Sequence, residues 1–178
     1  LDAMAKNIIE AFDFDIKYRI NGTQPQNSTG YQYIFHKIFD GYIYEDKFVK
    51  VEAFKNNHGD LEESYGFVFE TADKKIVFSG DTAPSERLLQ KAKDADILIH
   101  EIYSQQGFDN KTPDWQKYHA AHHTSPEEIG SIASKIKPKK LVLSHILFWG
   151  SKPEDIRKEV KLFYDGEVII AEDLLLID

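Results

Sequence analysis

At 178 residues the chain is long enough for one domain that buries roughly 70% of the surface its unfolded form exposes. Its 30 acidic against 22 basic side chains leave a net charge of −8, which repels a nucleic-acid backbone unless a local basic groove compensates. No apolar run approaches the ~20 residues of a membrane span, and with no cysteine there are no disulfides, thiolate zinc sites or cysteine nucleophiles, so any metal must be held by histidine and carboxylate.

Met4, Ala5, Ile8, Ile9 and Phe12 recur at helical spacing and predict a short amphipathic helix over residues 3–12. It begins without a cap. Leu1 stands first and no basic-then-apolar leader is visible, so the expectation is that something upstream was removed and that the protein is cytoplasmic. Phe14 to Ile20 reads as an extended segment, residues 21–30 as a solvated loop, and the Tyr- and Phe-rich residues 31–46 as a hairpin around Asp40-Gly41.

Phe48 to Phe54 alternates, with Val49, Val51 and Ala53 on one face and Lys50 and Glu52 on the other, before the chain reaches His58. Tyr65–Thr71 and Lys75–Ser79 pair as a hairpin across Ala72-Asp73-Lys74. Pro84 starts a helix to about Lys93 with Leu88, Leu89 and Ala92 inward, and a strand from Asp96 to His100 follows. Tyr103 to Thr124 reads as a long polar-aromatic connection, of a length that is often functional. Ser125-Pro126-Glu127-Glu128 is a capping box with proline at the first helical position, and Ile129, Ile132, Ala133 and Ile136 supply the buried stripe behind it. A strand ending at His145, a helix from Pro153 to Phe163 and two closing strands around Val168-Ile170 and Leu174-Ile177 complete the pattern. No repeat or linker divides the chain, so residues 1–178 are read as one domain.

Three of the strands share a design. Ile76-Val77-Phe78 stops at Ser79-Gly80-Asp81-Thr82, Ile97-Leu98-Ile99 at His100-Glu101, and Leu141-Val142-Leu143-Ser144 at His145. Continuous apolar runs suit strands covered on both faces, and in parallel α/β sheets chemistry gathers beyond the strands' carboxyl ends. A carboxylate, a His-Glu pair and an imidazole at one rim are the inventory of a metal site. Each also has a plainer reading: Asp81 suits a cap for the next helix, His145 a core histidine bonded to backbone, and His100 and Glu101 a structural or ligand-orienting pair. Trp115, Tyr118, Phe148 and Trp149 read as core or rim packing rather than as substrate stackers.

The order of these pieces, with His122-His123-Thr124-Ser125 before the capped helix, resembles the metallo-β-lactamase-fold hydrolases of the ribonuclease Z and arylsulfatase-like branch. The resemblance implies an α/β fold, a metallo-β-lactamase-like αβ/βα sandwich incomplete at its amino-terminal side, and a metal-dependent hydrolase. By implication His58, Asp81 and His145 are metal ligands, Asp81 being the bridge between two divalent ions, zinc or manganese. The His-x-Thr-Ser pattern is similar to one that supplies a proton-donating histidine, either His122 or, in the other register, His123. Such a binuclear site generates a hydroxide nucleophile near neutral pH.

The chain departs from the family in having no His-x-His-x-Asp-His motif, so it carries only part of the ligand set and alone should not hold two metals tightly. A missing upstream segment of the same protein is one expected partner, a second copy in a homodimer another. The tRNA-processing members carry a protruding arm between the residues matching His58 and Asp81, an interval filled here by an ordinary hairpin. With the acidic balance, that favours a small-molecule ester or phosphodiester as substrate, and nucleic acid second. The competing readings are a tRNA 3′-processing endoribonuclease and a non-catalytic half-domain serving binding or assembly.

Overall fold

The computed structural model describes residues 2–23, 27–34 and 36–177. Gln24, Pro25 and Gln26 of the expected solvated loop, and Phe35 of the expected hairpin, lie outside them. The chain forms two compact units, Leu1–Ile38 and Phe39–Asp178.

Among the described residues the first unit holds two helices, α1 (Asp2–Ala11) and α2 (Asp13–Asn21). The second replaces the extended segment expected from Phe14 to Ile20. Its charges explain why: Lys17 pairs with Asp13 at 2.7 Å and Arg19 with Asp15 at 2.8 Å, both one helical turn apart, with the acids at the helix start.

The second unit is built on one seven-stranded sheet in sequential order: β1 (Gly41–Glu45), β2 (Lys50–Lys55), β3 (Tyr65–Glu70), β4 (Lys75–Phe78), β5 (Ile97–Tyr103), β6 (Lys140–Leu147) and β7 (Val168–Ile170). Pairing is antiparallel from β1 to β4 and parallel from β4 to β7. The expected hairpin about Asp40-Gly41 is displaced: described residues 31–39 form no strand, and β1 turns into β2 around Asp46. Asp46 Oδ1 accepts from the N–H groups of Phe48 and Val49, a side-chain-stabilised turn that wins over a glycine signal.

Val68, Val77, Leu98, Leu141 and Val168 stand in register across β3 to β7 and are all buried. Against that row pack Leu88 of α3 (Glu86–Lys91), Ile129 and Ile132 of α6 (Pro126–Ile136), and Ile156 and Val160 of α7 (Pro153–Lys161). Each such side chain contributes about 1.5–3 kcal/mol relative to leaving it in water. The capping box opens α6 as expected, with Ser125 Oγ accepting from Glu128 N–H and Glu128 accepting from Ser125 N–H. Pro84 does not start α3; Ser85 is the cap, accepting from Leu88 N–H at 3.1 Å.

The long connection after β5 is largely helical, as α4 (Gln105–Asp109) and α5 (Pro113–His122). Ser104 caps α4, and Pro113 sits at the first turn of α5. Apolar periodicity gave no sign of either helix, because α5 buries no residue. Leu174 to Ile177 form no strand, and Leu174 and Leu176 are exposed.

Asp96 fixes the entrance to the parallel half. Its Oδ2 accepts from Lys75 N–H at 2.7 Å, its Oδ1 meets Lys139 Nζ at 2.5 Å, and its backbone carbonyl accepts from Lys140 N–H at 3.0 Å. Lys139 and the Lys75 amide hold its carboxyl below the ordinary aspartate range. The stability this depression contributes is present above the unfolded-state pKa and is lost as pH falls through the native one. The urea midpoint of Asp96→Asn should therefore lie below that of the parent at neutral pH, with the gap closing as the pH drops below about 4.

Candidate metal and acid-base site

Because β2 is antiparallel to β3 and β3 to β4, β2 runs the same way as β4, β5 and β6. The residues beyond or near the carboxyl ends of these four strands, His58, Asp81, Glu101 and His145, therefore reach one rim. His145 Nδ1 lies 3.3 Å from Asp81 Oδ1. The His123 ring stands 6.2 Å from that of His145 and 5.3 Å from that of His58, and His58 and His122 are 5.1 Å apart, centroid to centroid. All five residues singled out in the sequence are thus neighbours.

The Asp81 turn is held from several directions. Gly80 has φ +63°, and a Cβ there would come within 2.5 Å of the Tyr65 carbonyl oxygen. Asn56 Nδ2 donates to the carbonyls of Ser79 (2.7 Å) and Asp81 (3.1 Å), and Thr82 Oγ1 accepts from Asn57 N–H at 3.0 Å. Thr124 Oγ1 donates to the Thr82 carbonyl at 2.6 Å, tying the turn to the start of α6.

His145 is not a strand end. The pairing of β5 with β6 shifts between His100↔Leu143 and Ile102↔Ile146, so Ser144 and His145 together oppose Glu101 in a bulge, and β6 continues to Leu147. His145 has φ +44°, in the left-handed region. Bulges re-aim side chains, and this one accompanies a half-exposed imidazole set against Asp81.

Glu101 is buried and divides its oxygens between Thr124 N–H (2.7 Å) and His123 Nδ1 (3.0 Å). Burial pushes its carboxyl up to about 9, and burial also lowers the pKa of His123. The proton of this pair is therefore retained at neutral pH, with the imidazolium disfavoured. The strand expected to stop at His100 runs on to Tyr103, so Glu101 lies inside a buried strand, where an acid needs a partner.

The two adjacent histidines differ. His123 turns inward to Glu101, while His122 Nδ1–H donates to the Tyr118 carbonyl at 2.6 Å and its Nε2 edge rests against Gly59. His58 Nδ1–H donates to the His122 carbonyl at 2.9 Å, which leaves its Nε2 lone pair free. His100 is buried and donates through Nδ1 to the Glu101 carbonyl, and both members of the His-Glu pair line the cavity at the rim.

Ligand atoms of Glu101, His123 and His145 lie within 4.8 Å of one another, and Asp81 adjoins them. Nitrogen and carboxylate oxygen are the donors zinc and manganese accept, and His58 is oriented through its other ring nitrogen as metal-binding imidazoles are. The Asp81 carboxylate and His145 imidazole, 3.3 Å apart, thus offer a divalent ion the donors it takes, with Glu101 and His123 beside them. A cavity of about 120 Å³ lined by Phe78, Asp81, Glu101 and His145 opens here, room for a few waters and no more.

A family model described as a beta-lactamase superfamily domain matches residues 30–146. Ribonuclease Z of Methanosarcina acetivorans is 34% identical over 106 residues, covering 59% of this chain and 32% of the relative. A Caenorhabditis elegans protein named zinc phosphodiesterase ELAC protein 2 homolog is 32% identical over 80 residues, covering 45% of this chain and 9% of its own length. The metallo-beta-lactamase fold protein YhfI of Bacillus subtilis superposes with TM-score 0.62 at 22% identity over 77% of this chain and 52% of that one, a likeness of fold. The chain spans about a third of the length of the ribonuclease Z relative.

Two outcomes are expected. Gly80→Ala should cost about 2 kcal/mol or more in urea denaturation, since it combines a left-handed backbone with a steric clash. In an NMR titration of the metal-free chain, His123 should gain its second proton below the ordinary histidine value of about 6.5.

Proposed function

The chain belongs to the beta-lactamase superfamily, and from that premise we propose that it carries the proton-donating part and some of the ligands of a metal-dependent phosphodiesterase acting at RNA 3′ ends. The observation that carries this reading is the Asp81–His145 contact at 3.3 Å, with the Glu101–His123 pair beside it. In this reading Asp81, His145 and the free Nε2 of His58 hold divalent metal, zinc or manganese. Bound there, the metal activates water and neutralises charge on the phosphate. The ligand set is partial, and the reading requires further ligands from a segment with the His-x-His-x-Asp-His motif, which these residues lack.

His123 is the assigned general acid. Its Nδ1 is engaged by Glu101, so its Nε2 is the atom left to protonate the departing ribose oxygen, and Glu101 restores the proton from the buried side. Glu101 also fixes where the imidazole sits, through the Thr124 amide that shares its carboxyl. His122 serves position: its carbonyl orients His58, and its ring backs Gly59 in the loop that carries His58.

The names of the relatives favour RNA over the small-molecule substrate expected from charge and from the missing arm. Net charge is a property of the whole chain, whereas residues 109–123 beside the site carry two lysines and two aspartates and are locally neutral apart from their histidines. The shallow rim also suits a polymer lying across it better than a small molecule enclosed by it.

Supplied with a His-x-His-x-Asp-His segment in the same polypeptide, the protein should cleave precursor tRNA at its 3′ side, lose that activity to a chelator and regain it with zinc or manganese. Asp81→Ala should lower kcat by more than about a hundredfold and abolish zinc uptake in calorimetry. Cleavage that persists in Asp81→Ala, or is indifferent to chelation, refutes the assignment.

A further inference from the structure

Helix α5 presents an aromatic stripe that the chemistry above does not use. Trp115, Tyr118, His119 and His122 recur at the i, i+3, i+4, i+7 spacing of one helix face, yet no residue of the helix is buried. Trp115 remains 56% and Tyr118 46% exposed. The rings run in contact toward the site: Trp115 stacks on His119 (5.6 Å), Tyr118 stacks on His122 (4.1 Å), and these two histidines approach His123 (5.8 Å) and His58 (5.1 Å) respectively.

The stripe is rigidly backed. Trp149 packs 4.5 Å from His119 and 5.9 Å from Tyr103, and Lys111 Nζ lies 4.5 Å over the Trp149 ring. A Cβ on Gly107 would approach Trp149 Cβ to 2.7 Å, so the glycine permits the α4 backbone to sit against that indole. His119 Nδ1 is buried without a hydrogen-bond partner, so this part of the face is desolvated rather than knit into a polar network.

We infer that this stripe, with Trp149 and Lys111, is a stacking platform for an unpaired nucleobase of the RNA strand next to the scissile phosphate. The inference rests on the phosphodiesterase reading, since the rings matter through their continuity with the candidate site. What adjoins a scissile phosphate is a nucleoside, and aromatic faces bind unpaired bases with little regard to sequence. Asp109 and Asp114 offset Lys111 and Lys117 in this segment. Stacking therefore carries the affinity, and the salt dependence is shallow for a nucleic-acid contact.

The chain's two tryptophans, Trp115 and Trp149, both belong to the platform, so intrinsic fluorescence reports on it directly. The full chain is titrated with a single-stranded hexaribonucleotide, with the same strand made abasic, and with a blunt duplex. The single strand should quench emission, and both the abasic strand and the Trp115→Ala variant should bind about fivefold or more weakly. Trp115→Phe should keep most of the affinity, and circular dichroism checks that the variants fold. Equal binding of the abasic strand, or unaltered binding by Trp115→Ala, overturns the platform. In the protein supplied with the His-x-His-x-Asp-His segment, Asp81-dependent cleavage of precursor tRNA with a KM that Trp115→Ala leaves where it was fells the platform and keeps the hydrolase; stacking on Trp115 with no cleavage by that same protein fells the hydrolase instead.

Discussion

One carboxyl group holds the site side of this molecule together. Glu101 projects from within a buried strand and divides its oxygens between His123 and the amide of Thr124, and the Thr124 hydroxyl then reaches the Thr82 carbonyl beside Asp81. Strand β5, the junction between α5 and α6, and the Asp81 turn are thereby linked by three hydrogen bonds. A buried acid is costly unless every lone pair is used, and that cost makes the geometry specific: any displacement of α6 from the sheet leaves the carboxyl unsatisfied.

The sheet does the rest of the positioning. Four strands running in one direction bring their carboxyl ends to a common rim, so residues far apart in the chain need no further device to meet. The bulge in β6 and the left-handed turn at Gly80 are local departures from regular strand geometry, and both fall at a proposed ligand or immediately before one. Backbone irregularity of that kind persists only where the surroundings over-determine it, which here means the Asn56 and Thr82 hydrogen bonds about the turn.

Much of this was legible in the residues. The apolar runs of β4, β5 and β6, the hairpin of β3 and β4 and the capping box of α6 are strong local signals, and tertiary packing agrees with each. The strands also pointed to the rim, with small residues and a carboxylate after β4, a His-Glu pair after Ile99 and an imidazole after Ser144, although β5 and β6 continue past those residues to Tyr103 and Leu147. What the sequence concealed has physical reasons. Helix α2 is held by charge pairs on an otherwise aromatic segment, α5 has no buried stripe to show a period, and the β1–β2 turn depends on the Asp46 side chain rather than on glycine. The choice between His122 and His123 turns on which imidazole Glu101 faces, a pairing across 22 positions of chain that no local pattern encodes.

Deleting either Ser144 or His145 from β6 would leave Ile146 opposite Ile102 and Leu147 opposite Tyr103, as they stand now, and would remove only the irregularity that sets the imidazole against Asp81. The sheet could therefore close without the extra residue, so the bulge belongs to the chemistry of the rim and not to the pairing of the strands.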